Sequence, residues 1–156
     1  MHMISLMYLL SEKQILPVSR SVLWDFVSSP SNLIRITPPE MDFQIIGTVS
    51  SHLTSGQFIE YRVKVPVVGR ISWLTEIKYV ENGFSFVDEQ RVGPYKLWIH
   101  HHRLLEVEGG TSMTDEIRYV LPFGHLGKIS HCLFVRRNLE GIFRFRRQAL
   151  EEIFLK

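Results

Sequence analysis

Two histidines and two aspartates stand at spacings that bring them together if residues 84–121 form a sheet. Residues 84–90, 96–107 and 111–121 read as three consecutive strands. Side chains alternate across a strand. The middle strand then shows Trp98, His100, His102 and Leu104 on one face, and the third shows Met113, Asp115, Ile117, Tyr119 and Leu121. The matching face of the first strand is Phe84, Phe86, Asp88 and Gln90. A carboxylate beside an imidazole fixes its tautomer and raises its basicity, so His–Asp pairs suit general acid/base work. The same groups can orient a bound ligand. They can also simply satisfy one another, because buried polar atoms nearly always find partners. His100-x-His102 with Asp115 offers a third chemistry, metal ligation, although a catalytic zinc wants three well-placed ligands and support behind them.

Turn lengths set the register of these strands. With Glu108-Gly109 as a two-residue turn, Val107 faces Gly110 and His102 faces Asp115. With Gly93-Pro94-Tyr95 as a three-residue loop, Val92 faces Lys96 and His100 faces Asp88. Two His–Asp neighbours then lie side by side. A slip of one residue in either hairpin destroys the arrangement.

The rest of the chain has to position this sheet. Residues 3–15 are strand-like and Pro17 stops them. Ser19 can cap a short helix carrying Val22, Leu23, Trp24, Phe26 and Val27. Pro30 opens a second short helix through Asn32, Leu33 and Ile36, and Pro38-Pro39 ends it. Residues 43–49 form a short strand, 50–56 a polar connector, and 58–65 a cleanly alternating strand with Ile59, Tyr61, Val63 and Val65 on one side. Residues 70–80 alternate again, with Ile71, Trp73, Thr75, Ile77 and Tyr79 together, and Asn82-Gly83 turns the chain.

After Pro122-Phe-Gly124, residues 125–156 have helical spacing. At about 100° per residue, Cys132, Val135, Leu139, Ile142, Phe143, Leu150 and Ile153 share one arc. Such a stripe must be buried against the sheet. Arg146 sits in that arc. A buried charge needs a partner, so it either snorkels to the helix edge or reaches a carboxylate: Asp88, Asp115 or one on a ligand. Cys132 reads as an inert buried thiol. The opposite face carries Arg136, Arg137, Arg144 and Arg147, interrupted by Glu140 and Glu151, and reads as a solvated surface.

The element order predicts one α+β domain over 1–156: a strand, two short helices, six antiparallel strands and a long helix packed across a curved sheet. That arrangement leaves a cavity between sheet and helix. Composition agrees with an ordinary globular domain, at 45% hydrophobic and 22% charged residues. A net charge of +2 argues against a dedicated nucleic-acid binder. A single cysteine forbids an intrachain disulfide. The apolar start lacks a basic region and a cleavage site and reads as a strand, so a cytoplasmic location is expected, with no membrane insertion. Phosphate-cradling glycine loops, a serine nucleophile elbow and CxxC are all missing from the sequence.

Several segments together carry a family resemblance. They are Trp24-Asp-Phe26, Asn32-Leu-Ile-Arg-Ile-Thr-Pro-Pro39, Phe86-Val-Asp-Glu-Gln90, Gly93-Pro-Tyr95, Trp98-Ile-His-His-His102, Gly110-Thr-Ser-Met-Thr-Asp115, Leu121-Pro-Phe-Gly124 and Ile142-Phe-Arg-Phe-Arg146. The chain resembles the SRPBCC superfamily of START/Bet v 1-like helix-grip proteins, and within it stand-alone ligand-binding domains related to polyketide cyclase/dehydrase domains. Similar domains also occur fused to epimerase-like proteins. Leu104 stands where that family usually has an aromatic residue, and Phe145 where it often has tyrosine, so both positions can reshape a pocket. The resemblance implies a cavity for an apolar or aromatic small molecule.

The expected function is a binding protein for a hydrophobic or aromatic small molecule, such as a lipid, polyketide-like compound or isoprenoid, acting as a monomer or weak homodimer without a cofactor. The expected polar end is Asp88, Gln90, His100, His102, Asp115 and Arg146. The expected walls are Tyr61, Trp73, Trp98 and Tyr119. The alternative is a cyclase, dehydratase or hydrolase that uses the His100, His102, Asp88 and Asp115 set as general acid/base.

Overall fold

A computed structural model describes residues 7–155, with every side chain in that range except those of His125, Lys128, Ser130 and Cys132. The expectations for residues 3–6 and for the Cys132 thiol lie outside the described residues. The chain runs β1 (Tyr8–Leu16), α1 (Arg20–Val27), 3-10 turns at Pro30–Ile36 and Pro39–Met41, β2 (Gln44–Ile46), β3 (Phe58–Val65), β4 (Gly69–Glu81), β5 (Ser85–Val92), β6 (Leu97–Val107) and β7 (Gly110–Val120). It ends in α2 (Gly124–Ser130), a π turn (His131–Val135) and α3 (Arg136–Phe154). All seven strands join one antiparallel sheet in the order β1-β7-β6-β5-β4-β3-β2.

Local chemistry explains most boundaries. Ser19 accepts a hydrogen bond from the Val22 amide and caps α1. The second short helix is a 3-10 segment, opened by Pro30. Pro39 starts a further single turn where the sequence suggested only a stop. The strand expected over 43–49 shrinks to three residues, because Gly47 takes φ +80° and turns the chain off the sheet edge. The inward alternation of β4 fails at Tyr79. That residue has φ 51° at a register shift between Lys78 and Glu81, and it is 73% exposed. The bulge gives its inward slot to Val80, which packs on the core.

The expected C-terminal helix runs from Gly124 to Phe154, with a π turn inserted between α2 and α3. α3 holds 19 residues, about five turns at 3.6 residues per turn. Its stripe is nonetheless the expected one. Leu139, Phe143 and Leu150 are buried; Val135 and Ile142 pack into one core cluster with Leu139 and Phe143, and Ile153 into a second with Leu150. β1 latches the helix in place: Gln14 Nε2 donates to the Arg147 carbonyl at 3.0 Å, and Arg147 donates to the Lys13 carbonyl at 2.8 Å. None of the described helices is long and apolar enough to cross a membrane.

Gly141 lies on the exposed side of α3, and a Cβ built there meets nothing within 4 Å. Gly141→Ala is therefore expected to raise stability by about 0.5–1 kcal/mol, since alanine loses less backbone entropy in a helix. Urea unfolding reads this directly, and an unchanged midpoint would count against a well-formed α3.

Candidate functional site

The concave face of the sheet and α3 enclose a cavity of about 1410 Å³. Ordinary small-molecule pockets run to about 1,000 Å³, so there is room for a sizeable guest. Tyr61 and Val63 on β3, Trp73 on β4, Phe86 on β5 and Trp98 on β6 line the sheet side. Leu139, Ile142 and Phe143 line the helix side, and Phe26, Leu33 and Ile36 close one end. Trp73, Tyr95 and Trp98 pack ring to ring, with centroids 4.7–5.6 Å apart.

The mouth is apolar as well. Val67 is 97% exposed and Phe123 81%, and Val68, Leu126, Leu133 and Phe134 share the rim. Val67 and Phe123 have φ 70° and 65°. Such values are costly for side chains of this shape, so the rim holds apolar groups in water at some conformational expense.

His100, His102, Asp88 and Asp115 meet as the turn arithmetic requires. The registers Asp88↔His100 and His102↔Asp115 are both present. The short hydrogen bonds, however, run diagonally. His100 Nε2 lies 2.9 Å from Asp115 Oδ1, and His102 Nε2 lies 2.7 Å from Asp88 Oδ2. Strand twist and the lean of side chains along the strand bring diagonal partners into reach. The direct pairs are also close, at 3.4 Å for His100 Nδ1–Asp88 Oδ2 and 2.8 Å for His102 Nδ1–Asp115 Oδ1. The latter is an ion-pair contact that is too far off the N–H direction to be a hydrogen bond. The two imidazoles lie 3.7 Å apart, and Phe86 stacks on His102 at 4.2 Å.

Burial alone would raise Asp115, but the hydrogen bond from His100 and the close approach of His102 outweigh it and hold the carboxyl below its usual range. Asp88 is likewise lowered against burial, by the His100 charge, the His102 hydrogen bond and the charges of His102 and Arg146. Burial and the neighbouring His102 push His100 down, while the two carboxylates overcome burial and push His102 up. The two imidazoles are thus driven apart, with the charged form favoured on His102 and the neutral form on His100. Arg146 does reach toward a carboxylate: Nη1 is 3.9 Å from Asp115 Oδ1, and the guanidinium sits 4.8 Å over the Phe143 ring.

The other expected site residues separate. Tyr61, Trp73 and Trp98 line the cavity. Gln90 does not: its amide donates to the Tyr95 carbonyl at 2.7 Å and accepts from the Tyr95 amide at 3.2 Å, so it ties the β5–β6 loop. Tyr119 also lies off the cavity wall. Its hydroxyl is 2.8 Å from His131 Nε2 and its ring packs beside Tyr8 and Tyr95. Asp115 lies behind the histidines, against a small space shared with Gln14, Met113 and Arg146. Phe86 and Phe143 contact the histidine pair but were not among the expected site residues. Phe86 was already on the right strand face, so its stacking position next to His102 was within reach. The rim residues lie in turns with no periodicity to reveal them.

As metal ligands, Asp88, His100 and His102 offer atoms within 4.8 Å of one another. Asp88, on the adjacent strand, thus replaces the Asp115 suggested by sequence. Tetrahedral zinc at about 2.0–2.1 Å from each ligand keeps its ligands about 3.3 Å apart. The 2.7 Å contact between His102 Nε2 and Asp88 Oδ2 is shorter and fits a shared proton better.

A curved antiparallel sheet gripping a long C-terminal helix over a cavity defines a helix-grip fold. Solved structures agree. The chain matches the nucleoside-diphosphate sugar epimerase from Corynebacterium glutamicum with a TM-score of 0.67 and 25% identity, over 92% of its own length and 28% of that protein. It matches the major latex-like protein 151 of Panax ginseng with a TM-score of 0.71 and 11% identity, over 97% and 99% of the two chains. Ara h 8.0201 matches with a TM-score of 0.59 and 12% identity, over 94% and 99%. These likenesses show the fold, a helix grip. No family model and no curated protein matches the chain.

Proposed function

We propose that this chain is a binding protein for a hydrophobic or aromatic small molecule, held between the sheet and α3. The observation that carries the reading is the cavity itself, about 1410 Å³, with aromatic walls and ionisable groups gathered at one side. Apolar walls supply affinity in such sites, and a few polar groups supply orientation. Each ring nitrogen of His100 and His102 lies within 3.4 Å of a carboxylate oxygen. A general base needs a nitrogen turned to the substrate, so this arrangement favours holding a ligand over abstracting a proton. The single cysteine fits a cytoplasmic setting.

The test uses a neutral apolar fluorophore, 1-aminoanthracene, with native mass spectrometry of protein purified from its own host. Saturable one-to-one binding is expected, together with quenching of Trp73 and Trp98. His102→Ala should weaken binding more than it lowers the melting temperature. An unchanged dissociation constant beside a large drop in melting temperature would make His102 a purely structural residue. No saturable binding by the parent protein would overturn the reading.

A further inference from the structure

Resting on that reading, the inference concerns what the polar side of the cavity recognises. Arg146 lines the cavity on α3 and its side chain is only 11% exposed. A guanidinium has five N–H donors. Among the described residues none accepts a hydrogen bond from it: Nε is buried without a partner, and the nearest carboxylate oxygen is 3.9 Å away. The neighbouring Arg147 is different, with its donors on the Lys13 carbonyl and Glu12. A buried donor set left open on a cavity wall calls for an acceptor from outside. A carboxylate matches the planar fork best.

We propose that the cavity takes an amphiphile with a carboxylate head, which docks on Arg146 beside the histidine pair, and that the site takes up a proton as it binds. The proton follows from charge. Asp88 and Asp115 already share the two imidazoles and Arg146 as their counter-groups, so an added anion brings a third negative charge to a cluster away from water and favours one more proton there. His100 is the group placed to correct this. Its Nε2 is hydrogen-bonded to Asp115, and its Nδ1 faces Asp88 Oδ2 at 3.4 Å, where a second N–H would find an acceptor. The proton comes from solvent. The charged or titratable groups facing His100 are Asp88 on β5, His102 on β6 and Asp115 on β7, and Arg146 on α3 stands 3.9 Å from Asp115. Tyr61 on β3 stays protonated, because burial and then Asp88 push it up. Glu12, Lys13 and Arg147 close the small space behind Asp115 and Arg146.

Calorimetry at pH 7.5 with dodecanoic acid and its methyl ester separates the claims. The acid should bind about tenfold tighter than the ester, as a charge-assisted pair requires. Acid titrations in buffers of different ionisation enthalpy should show uptake of about one proton, and ester titrations none. Arg146→Met keeps the apolar stem. It should bring the acid's affinity down to that of the ester. Equal affinities for acid and ester, or an acid preference that survives Arg146→Met, would overturn the carboxylate assignment while leaving the cavity reading intact. Acid preference without proton uptake would overturn the coupling. Binding of neither compound, alongside normal binding of 1-aminoanthracene, would reject the amphiphile alone. Failure of all three would reject the cavity reading as well.

Discussion

Asp115→Ala is expected to cost about 3–5 kcal/mol of folding stability. Removing one partner of a buried charge cluster strands the others. The change leaves His100 Nε2 and His102 Nδ1 without the Oδ1 atom they approach at 2.9 and 2.8 Å, and it takes the nearest anion from Arg146. Urea unfolding at pH 7 measures the loss, and a cost below about 1 kcal/mol would mean that water already reaches the cluster. Acid behaviour gives a second reading. The Asp115 carboxyl is held below its ordinary value of 3.8. The unfolded chain therefore binds the proton more readily, so this contribution is complete above 3.8 and fades as the pH falls further. The variant should lose that part of the acid limb. His102 carries the opposite sign. Its pKa is raised, so its contribution is complete below 6.5 and is lost as the pH rises through the folded value. In Asp115→Ala the His102 titration should move down, which NMR of the ring protons follows.

Gly110→Ala is expected to be nearly as damaging for a different reason. Gly110 opens β7 at φ +146°, and a Cβ there would land on the Leu16 carbonyl oxygen and the Pro17 backbone. Neither contact is a flexible side-chain tip that can move aside. Backbone strain and overpacking together should cost about 3 kcal/mol. The opening between β1 and β7 should appear as faster amide exchange near Leu16 and Thr111, which pair across it. A stability change within about 0.5 kcal/mol would show that β1 shifts freely at this end.

The parts of the molecule that could be read from sequence are those with a strict period or a short turn. Glu108-Gly109 allowed one pairing of β6 with β7, and alternation then placed His102 opposite Asp115. The stripe on α3 was visible because helical spacing survives across Leu139, Phe143 and Leu150. What stayed hidden depends on an inserted residue or on three-dimensional lean. The bulge at Tyr79 and the π turn at His131–Val135 each shift the period by a residue that no local side chain announces. The diagonal hydrogen bonds depend on twist, which changes partners without changing register. Gln90 has the chemistry of a pocket residue, but a nearby loop with free backbone groups claims its amide. The resemblance to helix-grip proteins anticipated the sheet and helix but left the contents of the cavity open.

The sheet order has a consequence for how the molecule is made. β1 pairs with β7, and Tyr8 sits opposite Tyr119. Every other neighbouring pair in the sheet is also consecutive in the chain. During synthesis β1 therefore waits as an unpaired, half-apolar segment until β7 leaves the ribosome, while the hairpins between them can already close. Closing so long a loop is entropically costly and slow compared with hairpin formation. β1 should thus be the last strand to dock, together with the α3 latch at Gln14 and Arg147. Until then the β7 edge stays open, and that edge is the surface through which a nascent chain would pair with the wrong partner.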